Sequence, residues 1–476
     1  MMKYLLMVLV LCAEPCLADV RLPKVLGSNM VLQRESEARI WGWAEAGEEV
    51  QITGDWLDAS QKVQADAAGN WQVRMKTGEA GGPHTLTIAG KNRITLDQIL
   101  FGEVWIASGQ SNMEMPPVRV SGAYTGINNA AEEVAAAGYP QIRLFQVGNF
   151  SSKDPLDDVQ PGISMYGIPP SACQWQACSP ETIRTFSSTA YFFARELHTQ
   201  LNVPIGIIDS SWGGTSAEAW TPAAGLKALN FTTELQQADS LPQQAGKKIP
   251  TRLYNGMIHP LRNFKIRGVV WYQGEGNTRR ADKYHQLFST MIGEWRTAFG
   301  HQFPFYFVQI APFNYRGVNA AYLREAQLAT MSLPKSGMVV TMDIGHPTDI
   351  HPKNKQAVGR RLALWALAND YDRDVVYSGP IHAETAFREG KARVKFRHTG
   401  NGLATRDGKP PSHFEIAGAD KIFYPAIAVV DGDELSVSST KVAEPTAVRY
   451  AFTSGAMPNL MNQEGLPASS FRTDNW

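Results

Sequence analysis

Between about residues 99 and 374 the chain alternates short apolar runs with stretches of helical periodicity, and this alternation limits the fold more than any other feature. The runs at 99–107, 205–209, 266–272, 305–310 and 338–342 have the length and composition of buried strands. Between them, Ala190, Phe193, Ala194, Leu197 and Leu201 form one stripe at helical spacing. Tyr284, Leu287, Phe288, Met291 and Trp295 form a second, and 355–368 reads as a last helix. Strands separated by amphipathic helices pair in parallel, because each helix carries the chain back across a sheet face. The expectation is an α/β fold: a mostly parallel sheet with helices on both faces. In such sheets ligands bind beyond the carboxyl ends of the strands.

Both flanks have a different period. In residues 19–98, Trp71, Val73 and Met75 alternate after the turn Ala68-Gly69-Asn70, as do Val50/Ile52 and Leu86/Ile88. From 375 to 476 the alternation returns in Ala392, Val394 and Phe396, in Phe414/Ile416 and in Leu435/Val437, with Asp431-Gly432 as a hairpin turn. Period two with turn residues between short strands predicts β-sandwich regions at the N- and C-terminal ends. A length of 476 residues suits such a multi-part arrangement.

Residues 1–18 read as an export signal. Lys3 gives the basic start, 4–13 the apolar stretch, and Cys16-Leu17-Ala18 small residues at the −3 and −1 positions of a cleavage site. The expected location is the periplasm or the medium, with Asp19 first in the mature chain. No later run is long and apolar enough to span a bilayer. Cys173 and Cys178 are then the remaining cysteines, and in an oxidising compartment they either close a small disulfide loop or stay as two thiols. Two cysteines without a nearby His pair do not make a zinc site. Lys+Arg and Asp+Glu both total 45, so there is no overall field to hold nucleic acid or an acidic membrane. Oligomeric state is not legible.

Four strand ends carry residues with chemistry. The first is Gly109-Gln110-Ser111-Asn112-Met113, where a serine on a tight turn exposes its hydroxyl near backbone N–H donors. Met113 departs from a G-x-S-x-G elbow, and a serine here can equally cap a helix. The second is Asp209 to Thr215, with Gly213-Gly214 as close-approach donors. The third is Trp271-Tyr272-Gln273-Gly274-Glu275-Gly276-Asn277: Asn277 can donate to an oxyanion, and Glu275 can bind substrate or orient a base. The fourth is Asp349-Ile350-His351-Pro352, with a histidine able to take a serine's proton and a carboxylate beside it.

Taken together, these four blocks resemble the SGNH hydrolases, and more closely the sialate O-acetylesterase family. Residues 105–113, 271–275 and 348–352 carry the resemblance, with Met30-Val31-Leu32-Gln33-Arg34 and Phe471-Arg472-Thr473-Asp474 near the two ends. It implies an SGNH-type catalytic domain over 99–374 acting on acetylated carbohydrate, most specifically 9-O-acetylated sialic acid. Ser111 would be the nucleophile, His351 the base and Asp349 its orienting carboxylate. The amide of Ser111, the amide of Gly213 or Gly214 and the side chain of Asn277 would form the oxyanion hole. Gln110, Gln273 and Glu275 are the candidate substrate contacts, and no metal or organic cofactor is required. Two departures stand out. Gly276 replaces the family's usual Ser, and D-x-H replaces D-x-x-H, so Asp349, Asp343 and Glu275 all remain possible partners of His351. Acetylated xylan or pectin is the alternative substrate class, and a non-catalytic carbohydrate-binding protein the alternative of another class.

Overall fold

The computed structural model describes residues 19–162, 172–243 and 245–476, so the expected export signal lies outside the described residues. Its centre is a mixed sheet in the order Ser336–Val339, Phe305–Val308, Gly268–Tyr272, Arg93–Gly109, Ile205–Ser211, Tyr139–Gln146, Trp175–Cys178. Every neighbouring pair is parallel except the last, where Trp175–Cys178 runs antiparallel along the edge. Strand residues alternate between two cores. Val104, Ile106, Val269 and Trp271 pack on one face with Tyr284, Leu287, Phe288 and Met291 of the helix Ala281–Phe299. Trp105, Ala107, Val270 and Tyr272 pack on the other with the helices Ser188–Leu201 and Lys355–Asp370. Helices on both faces explain why the central strands are apolar throughout rather than alternating.

The long strand Arg93–Gly109 joins two sheets. Its first half pairs antiparallel with Gly81–Ala89 and in parallel with Val31–Gln33, and its second half is the centre of the core sheet. Glu37–Trp43 and Asn70–Lys76 form a separate antiparallel pair in the N-terminal region. The C-terminal region has two four-stranded antiparallel sheets, with Ile381–Arg388 in one and Phe471–Arg472 in the other.

Both terminal motifs serve to hold the β regions on the core. Gln33 Nε2 and Arg34 Nε bind the two oxygens of buried Glu103 at 2.9 and 2.6 Å. Arg472 bridges to Glu325 on the helix Ala321–Thr330, and Arg449 grips Asp474 at 2.8 and 2.6 Å.

Cys173 and Cys178 are buried thiols, not joined as a disulfide. Cys173 donates to Gln160 O and Cys178 to Ala137 O, so each is satisfied by a different carbonyl. Burial pushes the Cys178 thiol up to about 12, which keeps it protonated.

Candidate functional site

Gly109, Ser211 and Tyr272 sit side by side at the carboxyl ends of three adjacent strands. Gln110 N–H donates to Tyr272 O at 2.9 Å and Trp212 N–H to Gly109 O at 3.0 Å, which locks the three ends together. Gly109 has φ +138°, and a Cβ there would lie 2.2 Å from Tyr272 O, so this junction requires glycine. The chain then turns into the single helical turn Ser111–Glu114. Ser111 is half-buried at its start, and its N–H has no acceptor among the described residues. The first amides of a helix have no partner within it and point outward, so this one is available to an anion.

The helix Ser188–Leu201 fixes this turn from behind. Ser187 donates to Met113 O at 2.6 Å while capping the helix by accepting from Ala190 N–H at 3.0 Å. Thr189 donates to Asn112 O at 3.0 Å.

Asn112 is the hub of the site. It is fully buried; its Nδ2 donates to Glu275 Oε1 at 2.6 Å and to Ile350 O at 3.0 Å, and its Oδ1 accepts from Lys355 Nζ at 2.6 Å. The residue after Ser111 therefore holds the residue before His351. Tyr124 makes a second link. Its ring meets that of His351 edge-on, with centroids 5.2 Å apart, and its hydroxyl donates to Glu114 Oε2 at 2.6 Å. A Cβ on Gly213 would stand 2.9 Å from that hydroxyl and 3.2 Å from Ser111 Cβ, so Ser111, Tyr124 and Gly213 meet at one point. No Ser111–His351 hydrogen bond is closed among the described residues, a contact that commonly tightens only with substrate bound.

The three carboxylates that the sequence offers as partners of His351 are held differently. Asp343 is held bidentately by Arg361 at 2.8 and 2.6 Å. Glu275 is bound to Asn112, and its Oε2 is buried without a partner among the described residues. Asp349 Oδ1 lies 3.9 Å from His351 Nδ1 and accepts the His351 backbone N–H at 2.9 Å, so it steers the loop more than the ring in this state.

Several expected contacts lie deeper than the sequence suggests. Gln273 is fully buried: it donates to Asn277 Oδ1 and Thr215 O and accepts from Tyr284 Oη, which leaves nothing for a sugar hydroxyl. Gln110 is buried and accepts from Gly276 N–H at 3.1 Å. Asn277 Nδ2 donates to Glu218 Oε2 at 3.0 Å, and Gly213 N–H to Glu114 Oε2 at 2.7 Å. Gly214 is exposed, and its N–H has no acceptor among the described residues. Gly276 packs so tightly that a Cβ would come within 2.4 Å of Thr215 O, which accounts for glycine rather than serine in this chain. Sequence reasoning missed Asn112, Glu114, Tyr124 and Lys355. The signals were present: Asn112 and Glu114 share a helical turn with Ser111, and Lys355 follows His351 by four residues.

Burial governs the electrostatics. It holds His351 down at about 4, with the Lys355 charge adding and Asp349 opposing. Lys355 is pushed down to about 7, by burial first and against the pull of Glu275 and Asp349. Burial raises the Glu275 carboxyl, against Asn112 and Lys355. His351 is therefore neutral, and able to accept a proton, at any pH well above 4. The acid limb of kcat/KM for p-nitrophenyl acetate should have its midpoint near pH 4 rather than near the ordinary 6.5. A midpoint at or above 6.5 would contradict this environment. The same shift bears on stability. The unfolded chain takes up this proton first, so the His351 contribution to stability falls as pH drops from 6.5 towards 4.

Residues 102–368 match the sialic acid-specific acetylesterase family of carbohydrate esterases. The sialate O-acetylesterase of Rattus norvegicus is 30% identical over 420 residues, 76% of each chain. That of Homo sapiens is 30% identical over 401 residues, 76% of this chain and 73% of the relative. Among solved structures, a carbohydrate acetylesterase from Xanthomonas citri has a TM-score of 0.86 at 39% identity, covering 96% of this chain and 100% of that one. These relatives define a carboxylic ester hydrolase, which removes the non-catalytic reading. The chain belongs to the sialic acid-specific acetylesterase family of carbohydrate esterases. No helix among the described residues is long and apolar enough to cross a membrane.

Proposed function

We propose that the chain is a serine esterase of the SGNH type that removes O-acetyl groups from sialic acids through an acetyl-enzyme. The observation that carries the reading is Asn112, which ties the turn bearing Ser111 to the loop bearing His351. Ser111 Oγ attacks the acetyl carbonyl and neutral His351 takes its proton. The tetrahedral oxyanion is received by the N–H groups of Ser111 and Gly214, neither of which has an acceptor among the described residues. Gly213 and Asn277 support the site through Glu114 and Glu218. His351 returns the proton to the departing sugar oxygen; water then enters by the same base and releases acetate. Asp349 steadies the His351 loop and offsets the imidazolium charge.

Lys247 favours a sialic acid over a neutral plant polysaccharide. Its Nζ stands 3.7 Å from where a Cβ on Gly214 would lie and 5.7 Å from the centre of the Trp212 ring. No carboxylate lies within ion-pair distance of it among the described residues. The Glu114 charge acts on this ammonium only from beyond ion-pair distance, and its position beside the Ser111 turn suits the carboxylate of a sialic acid.

The test compares 9-O-acetylated sialic acid with its methyl ester and with acetylated xylan. The free acid should be the best substrate. Lys247→Met should lower its kcat/KM roughly 10- to 100-fold, the worth of about 1.5–3 kcal/mol for a hydrogen bond to a charged group. The methyl ester should be unaffected. Preference for acetylated xylan, with no effect of Lys247→Met, would favour the plant-polysaccharide reading.

A further inference from the structure

At the opposite end of the core sheet lies a cavity of about 1160 Å³. Arg267, Pro304 and Lys335 line it, each just before a core strand begins, whereas Ser111 and His351 follow strand ends. Its other wall is the N-terminal β region, with Arg39 and Arg74. Seven lining residues are Lys or Arg and four are Asp or Glu, a surplus of three positive charges in a chain of zero net charge.

Glu103 and Asp157, outside that lining, offset part of the surplus. Arg34 is held by Glu103, Arg74 faces Glu37, and Arg262 faces Asp157. Arg39, Lys265 and Lys335 have no carboxylate within ion-pair distance among the described residues. The Arg39 guanidinium donates instead to the neutral amide of Asn263. Burial, then the charges of Arg74 and Arg262, disfavours its protonated form; burial and Arg74 act likewise on Lys265, with Glu37 opposing. Like charges gathered in a partly desolvated hollow are costly unless a counter-charge arrives from outside.

A second cavity, of about 540 Å³, adjoins the first and shares Arg262 and Asn263 with it. Trp41, Trp43 and Trp71 line it. Trp71 is 3% exposed, and its indole N–H has no acceptor among the described residues. Trp43 is half-buried. The larger cavity alone exceeds the usual range of about 300–1,000 Å³ for a single small ligand. A groove with cations at one end and the half-buried Trp43 indole at the other, with Arg21 5.8 Å from the centre of its ring, has the chemistry for a chain of sugars bearing carboxylates: an apolar ring face packs beside the tryptophan, and carboxylates meet Arg and Lys.

We infer that this groove is a second glycan site, remote from Ser111, that binds an acidic oligosaccharide through Arg39 and Lys265 with sugar packing near Trp43. It would hold a polymeric substrate while the esterase site works on another part of it. The inference rests on the lining of the groove and not on which sugar Ser111 deacetylates.

Isothermal titration tests it with unacetylated hexamers of sialic acid and of galacturonic acid, a neutral xylose hexamer, and inorganic phosphate. At least one acidic hexamer should bind about tenfold or more tightly than the neutral one. Arg39→Gln with Lys265→Gln, which keeps side-chain length while removing charge, should weaken that binding about tenfold or more at unchanged melting temperature. Trp43→Ala should weaken the hexamer but not phosphate. Three results would each overturn the proposal: no preference for an acidic hexamer, unchanged binding in the double variant, or phosphate binding as tightly as the hexamers.

Discussion

Ser111→Ala should abolish hydrolysis of p-nitrophenyl acetate, with kcat/KM falling on the order of 10⁵-fold while the melting temperature stays the same. Losing the nucleophile of a serine hydrolase removes the covalent route altogether and leaves only what oriented donors contribute, so an effect of about 10⁴–10⁶ is the expected scale. Folding should not suffer. Ser111 Oγ makes no hydrogen bond among the described residues, and the turn is held by Gly109, Asn112 and Ser187 instead. Alanine also keeps the free N–H at the start of the turn. Retained turnover in a folded variant would remove Ser111 from the chemistry. A collapse in stability would mean that the hydroxyl is a structural group.

Lys355→Met should destabilise the protein by about 3–5 kcal/mol, the usual cost of removing one member of a buried charged network. Lys355 is fully buried, donates to Asn112 Oδ1 and lies 5.2 Å from the centre of the Tyr272 ring. Without it, Asn112 Oδ1 has no donor and Glu275 loses the positive charge that offsets its burial. Glu275→Leu alone should also destabilise, but the double variant should cost less than the sum, because neither charge is then left alone in the core. The same substitution has a kinetic signature. Lys355 helps to hold the His351 pKa down, so its removal should move the acid limb of kcat/KM to higher pH. Loss of stability with an unmoved limb would make Lys355 purely structural. Additive single and double variants would contradict the shared network.

The helix Ser188–Leu201 was legible because its apolar stripe has the helical period and Asn202, left-handed at φ 54°, ends it. The core strands were legible because a strand covered on both faces has no polar alternation. The antiparallel edge Trp175–Cys178 was not: its four residues carry no long periodic signal, and the two cysteines were compatible with a disulfide loop or with two thiols. Ser111 and His351 stood out because their residue types do chemistry at strand ends. The roles of Gln273, Glu275 and Asn277 did not, because a polar side chain at a strand end looks the same in sequence whether it faces a ligand or a buried amide. Which way it points depends on partners far along the chain: Tyr284 for Gln273, Asn112 for Glu275, Glu218 for Asn277. Lys355 was hidden for a similar reason. A lysine near a helix start reads as solvated until Asn112 and the Tyr272 ring close over it.

The central claim is that Ser111 carries the acetyl group between sugar and water. The most direct measurement is acid quenching of the enzyme during turnover of p-nitrophenyl acetate, followed by mass-spectrometric mapping of its peptides. The account predicts a single acetyl group on Ser111 that decays as acetate is released and is absent from Ser111→Ala. Turnover with no acetyl group at Ser111 at any time, or with a transient acetyl group on another residue, would contradict it.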